Sequence, residues 1–120
     1  MPDVAYTGNL TSDPTLRYTN SGKAWVSGTI IENKKDRYDK ATNSYVKSED
    51  KLVLHFNMYG ALAENFAASA RKGQRWVLTG DLVTREFEQN GVRRSVTEIL
   101  VHEAGMSVLF GRTQAAVGPR

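Results

Sequence analysis

A chain of 120 residues with 40% hydrophobic and 24% charged side chains matches one globular domain built on a single core and is too short for two. It contains no cysteine and two histidines, His55 and His102, which excludes a disulfide framework and a thiolate zinc site. No run of about 18 apolar residues offers a membrane span and Met1-Pro2-Asp3 does not open a secretory signal, so a cytoplasmic protein with no membrane partner is expected. The net charge of +3 is modest, but residues 17–94 hold fourteen of the sixteen basic and nine of the thirteen acidic side chains. The middle of the chain is therefore the candidate surface for an anionic ligand.

Strand signals dominate. Val4 to Leu10 reads as a short extended stretch stopped by Thr-Ser-Asp-Pro, and Leu16 to Thr19 runs into the turn tripeptide Asn20-Ser21-Gly22. Lys23 to Asn33 is a β-branched run with Gly28 inside it, the mark of a bulge or bend that lets a sheet curl. Residues 34–50 are nearly free of aliphatic side chains and read as a long polar hairpin tip, functional or disordered, with Tyr38 and Tyr45 among the charges. Lys51 to Tyr59 alternates: Leu52, Leu54, Phe56 and Met58 point to a core, whereas Val53, His55, Asn57 and Tyr59 point away from it.

Gly60 to Gly73 switches to helical period, with Leu62, Phe66 and Ala70 four apart and a basic last turn, Arg71-Lys72, closed by glycine. Arg75 to Glu88 returns to strand with Gly80 in its interior, Asn90-Gly91 is the strongest hairpin signal in the chain, and Val92 to Glu103 pairs back. Met106 to Phe110 is expected to add a short final strand, followed by a frayed, flexible end over 111–120. Three strands, one helix and two strands, with glycine bends that could close the sheet, suit an all-β fold with one helix: a five-stranded Greek-key OB-fold barrel over residues 1–110, its helix plugging the barrel between the third and fourth strands.

Catalysis is not expected, because neither histidine has a carboxylate or nucleophile at a telling spacing, no glycine-rich phosphate loop occurs, and the acidic residues are scattered. No metal or cofactor is implied. Cations interleaved with aromatics suit a single-stranded nucleic acid instead, since cations follow phosphates while ring faces accept any base, each stacked base contributing roughly 1–3 kcal/mol. Phe56, Phe66 and Trp76 belong to the core by their patterning. Tyr59, in the outward set, and Phe87, in Arg85-Glu86-Phe87-Glu88 near a hairpin end, belong to a ligand face. Tyr38 and Tyr45 either stack on a ligand or pack back over the barrel. Trp25 stays open between a stacking role and a subunit contact, and His55 between bonding a base and resting on the sheet.

Several ordered blocks carry a resemblance: Gly8-Asn9-Leu10, Asp13-Pro14, Arg17-Tyr18, Ser21-Gly22-Lys23-Ala24, Tyr59-Gly60-Ala61-Leu62-Ala63-Glu64-Asn65, Arg71-Lys72-Gly73, Gly80-Asp81-Leu82-Val83-Thr84-Arg85 and Thr97-Glu98. Over residues 4–110 the chain resembles bacterial single-stranded DNA-binding proteins. That resemblance implies an OB-fold protein, usually a homotetramer, that wraps single-stranded DNA without sequence preference and protects it during replication, recombination and repair. It places stacking aromatics at Tyr59 and Phe87, sets Tyr38 within one residue of a loop aromatic, and matches basic positions at Lys40, Lys72, Arg85 and Arg94. Val53 and Ala61 stand where the family has an aromatic and commonly a basic residue. The candidate nucleic-acid-binding set is thus Lys34, Lys35, Arg37, Tyr38, Lys40, Tyr45, His55, Tyr59, Lys72, Arg85, Phe87 and Arg94.

The chain finishes at Val117-Gly118-Pro119-Arg120, whereas the family commonly adds a linker and an acidic tip that recruits replication and repair enzymes. A tailless member or a shortened chain is expected, with no such tip to recruit them. The alternatives are a replication-restart accessory protein, an RNA-binding barrel, a subunit that modulates a tailed paralogue by mixing with it, and, as a competing class, a barrel-based nuclease.

Overall fold

The structure is a computed structural model that describes residues 3–33, 37–46 and 51–111. Its elements, in chain order, are β1 (Val4–Leu10), β2 (Arg17–Tyr18), β3 (Ala24–Asn33), β4 (Arg37–Asp39), β5 (Ser44–Val46), β6 (Lys51–Tyr59), α1 (Ala61–Ser69), β7 (Arg75–Gln89) and β8 (Val92–Met106). Six strands form one sheet in the order β1-β7-β8-β6-β3-β2, and a further pairing of β1 with β3, Asn9 opposite Ile31 and Leu10 opposite Ile30, closes five of them into a ring. β6 and β8 run parallel and the other neighbours antiparallel. This is the OB-fold barrel expected from the element order.

Two glycines make closure feasible. At Gly80 the register with β8 shifts, from Thr79 opposite Glu103 to Gly80 opposite Val101. The strands approach so closely there that a Cβ on Gly80 would lie 1.9 Å from the Leu100 carbonyl oxygen. Gly28 faces Phe56 across β3 and β6, leaving the ring the space that a side chain would take. Inside the ring, Val26, Ile30, Phe56, Met58, Leu78 and Ile99 are fully buried. α1 supplies Ala63 and Phe66 to this core, and the Phe66 ring meets Phe56 and Trp76 edge-on at centroid distances of 5.8 and 4.8 Å.

The structure departs from the sequence expectations in four places. Leu52 is 41% exposed although it continues the inward set of β6. It stands opposite Glu32, past the last positions where β1 joins β3, and among the described residues no third strand pairs at that level. The helix stops at Ser69 and leaves Arg71 and Lys72 in the following turn. Their amides are drawn to Gln74 Oε1 (2.8 Å) and Asp13 Oδ1 (2.7 Å), and the Gly73 amide to the Leu10 carbonyl (2.9 Å). Residues 106–110 add no new strand: Met106 ends β8 opposite Trp76, and the chain after it is irregular, turning at residues 109–110. Finally, part of the polar stretch is ordered as the separate two-stranded sheet of β4 and β5. The expected flexible end over 111–120 lies, from residue 112 onward, outside the described residues. Among the described residues no helix is long and apolar enough to cross a membrane.

Candidate nucleic-acid interface

Because alternate strand residues leave opposite faces of a sheet, the inward positions of β3 and β6 fix what the outer face carries. Trp25 lies directly opposite Tyr59, Ser27 opposite Asn57 and Thr29 opposite His55. On the other side of β6, Leu100 of β8 lies beside Asn57 and Glu98 beside His55, and β7 continues the face with Val83 opposite Glu98 and Arg85 opposite Val96. A groove of about 600 Å³ runs over this four-strand face, lined by Trp25, Ser27, Asn57, Tyr59, Val83, Arg85, Glu98 and Leu100. Residues 84–89 and 92–97 pair, among the described residues, only with each other and form a two-stranded arm whose base, at Arg85, still lines the groove.

The groove floor is tied together by a chain of hydrogen bonds between side chains. Trp25 Nε1 donates to Asn57 Oδ1 at 3.1 Å, and Asn57 Nδ2 donates to Glu98 Oε2 at 3.0 Å. Arg85 Nε donates to the other carboxylate oxygen, Glu98 Oε1, at 3.2 Å. The Glu98 side chain is 16% exposed and that of Arg85 59%, so the anion lies deep and the cation reaches the rim. Both carboxylate oxygens are engaged, which meets the cost of placing the charge there.

Three aromatic rings on or beside this face each carry a cation. Lys23 Nζ lies 5.3 Å from the Tyr59 ring centre, Arg85 Cζ 5.3 Å from that of Phe87, and Arg17 Cζ 5.9 Å from that of Trp25. Arg94 stands opposite Phe87 on the arm and so shares its face with Arg85. Cations at the rim around a floor whose one carboxylate is already bonded favour a polyanion with its phosphates at the edge and its bases over the rings.

Of the residues expected from sequence, the structure therefore brings Tyr59, Arg85, Phe87 and Arg94 onto one face. His55 is on that face too, with its Nδ1 2.8 Å from Thr29 Oγ1. Tyr38 and Tyr45 are not in the groove: they lie opposite each other in the β4–β5 hairpin, their rings edge to face at 5.2 Å, and the Tyr38 hydroxyl donates to Asn43 Oδ1. Lys40 is exposed at the tip of that hairpin and Arg37 opens it opposite Val46. Lys72 is exposed in the turn after α1, apart from the groove lining. Lys34 and Lys35 lie outside the described residues. Val53 is exposed opposite Ile31, an outward position that holds no ring.

Sequence reasoning leaves Trp25 open and does not assign Arg17, Lys23, Asn57 or Glu98 to the binding set. The alternation of Trp25, Ser27 and Thr29 in β3 was a usable signal for the first, since it sets Trp25 on the outer face. Nothing local joins Asn57 to Glu98. The fold also gives His102 the carboxylates that its sequence spacing lacks: Nδ1 faces Asp3 Oδ1 at 3.2 Å and Nε2 faces Asp81 Oδ2 at 3.5 Å. The three residues are exposed, and the two carboxylates flank opposite ring nitrogens.

The model of the Single-strand binding protein family matches residues 1–107. The chain is 38% identical over 108 residues to a single-stranded DNA-binding protein of Mycobacterium leprae, a match that covers 89% of this chain and 63% of that one. It is 35% identical over 119 residues to one from Corynebacterium glutamicum, covering 98% and 52% respectively, and 36% identical over 112 residues to one from Paenarthrobacter aurescens, covering 92% and 64%. The chain thus spans between about half and two-thirds of the length of these relatives.

Proposed function

The chain belongs to the single-strand binding protein family, and from that premise we propose that it is a non-enzymatic protein that binds single-stranded DNA without reading its sequence and shields it in replication, recombination and repair, at the nucleoid. The observation that carries this reading is the set of three cation–ring pairs around one groove. Bases stack on Tyr59 and Phe87, and Lys23, Arg85 and Arg94 neutralise the phosphates that pass along the rim. Stacking needs only the π-face common to every base, so binding is indifferent to sequence. The β4–β5 hairpin with Tyr38, Lys40 and Tyr45, and Lys72 beyond the helix, extend the contact outside the groove.

Residues 1–110 are the binding unit in this reading, and four copies assemble. The outer face of β1 and β7 supports assembly, with Ala5 and Thr7 opposite Thr79 and Val77 on a side of the barrel that the groove does not use. The deciding experiment is a titration with labelled oligo(dT) at several salt concentrations. Tight binding that weakens linearly with log salt, at a slope of about −0.7 for each phosphate neutralised, is the expected result. Salt-independent binding, or none, would overturn the proposal.

A further inference from the structure

Trp25 is an anomaly on the outer face. Its neighbours in β3, Ala24 and Val26, are buried in the barrel, so the indole necessarily leaves the core and comes to lie half-buried in the groove beside Tyr59. An indole in that position has a polar edge that ordinarily needs water, and here the edge is satisfied inside the protein. Asn57 accepts its N–H, and Glu98 holds the Asn57 amide so that Oδ1 faces the ring. The ring orientation is fixed before any ligand arrives, and the cation of Arg17 stands near its face.

We infer that Trp25 is a preorganised stacking surface for an unpaired nucleobase, working beside Tyr59, and that Glu98 is a positioning residue that sets the indole through Asn57 and the Arg85 guanidinium directly. The inference rests on the proposed single-stranded DNA binding and adds to Tyr59 and Phe87 a third stacking ring, seated in the groove, and the device that orients it. Two features favour a base over a subunit contact. The ring lines a concavity shared with a cation that reaches solvent, and the same carboxylate that orients the ring orients that cation, which couples the base-facing and phosphate-facing parts of one site. Fixing the ring in advance lowers the ordering cost on binding.

The test uses the full chain with Trp76, which is 7% exposed in the core, replaced by phenylalanine so that Trp25 is the sole tryptophan. Oligo(dT) binding is followed by the anisotropy of a dye on the DNA, and Trp25 emission is read in the same titration. Binding should quench and shift Trp25 emission. Trp25→Leu should weaken oligo(dT) binding about 5- to 150-fold with the salt slope unchanged, because no charge is lost. Glu98→Leu should make Trp25 more accessible to acrylamide before DNA is added, and Glu98→Gln, which keeps an acceptor, should restore most of the protection.

Should oligo(dT) bind while Trp25 emission stays still, the inference fails and the DNA-binding reading stands; should the parent protein bind no oligo(dT), the reading itself fails. A fall in particle mass by light scattering for Trp25→Leu, with unchanged affinity, would make Trp25 a subunit contact and also overturn the inference. If Trp76→Phe does not fold, 5-fluorotryptophan in the unmodified sequence gives two fluorine resonances, assigned by the Trp25→Leu variant, and only that of Trp25 should move on adding DNA.

Discussion

Gly28 stands directly opposite Phe56 across β3 and β6, so close that a Cβ on it would lie 2.7 Å from Phe56 Cζ. The Phe56 ring cannot yield, because it is 1% exposed and braced by Phe66. The missing side chain in one strand is the space for the central ring of the core. Gly28→Ala should therefore destabilise the barrel by about 1–3 kcal/mol, as overpacking does. Thermal melting reads the loss, and oligo(dT) affinity measured well below the midpoint should be unchanged; a variant that melts like the parent would show that the core has slack at this pair.

Phe56 and Tyr59 sit three residues apart on one strand and face opposite ways, which gives an internal comparison. Phe56→Ala should cost about 3–5 kcal/mol of stability as a large-to-small core change. Tyr59→Ala should leave melting nearly unaltered and weaken oligo(dT) binding by about 1–3 kcal/mol. Early melting of Tyr59→Ala with normal binding by the folded fraction would place the ligand on another face.

Arg85 joins the deep carboxylate of Glu98 to the rim beside Phe87. Arg85→Ala should reduce the magnitude of the salt slope by about 0.7, the contribution of one phosphate on a single strand. The same change leaves Glu98 Oε1 without its partner on a side chain that is only 16% exposed, so melting should fall modestly as well. An unchanged slope would remove Arg85 from the phosphate path.

Val77 lies outward on β7 between Thr7 and Gly105. If copies meet on this face, a charge at Val77 appears on both sides of a symmetric contact. Val77→Lys should lower the particle mass in light scattering at micromolar concentration while the melting curve of the barrel stays close to that of the parent. A parent protein that is already a monomer would end the assembly proposal.

The sequence alone determined most of the barrel and one side of the site. Period-two alternation over Lys51 to Tyr59 placed Phe56 inward and Tyr59 outward, and an interior glycine marked the bulge at Gly80, because side-chain direction and backbone freedom are local properties. The ordered blocks from Gly8 to Glu98 pointed to the family. What tertiary structure decided is register. Only strand pairing sets Trp25 against Tyr59, Asn57 against a carboxylate 41 residues away and His102 between Asp3 and Asp81. It also decides that Leu52, patterned as core, is left exposed where, among the described residues, β3 and β6 alone still pair, and that the helix gives way at Ser69 to turn contacts with Asp13 and Gln74. Each of these depends on which distant strand lies alongside and at what offset, and a shift by one residue would turn every side chain to the other face.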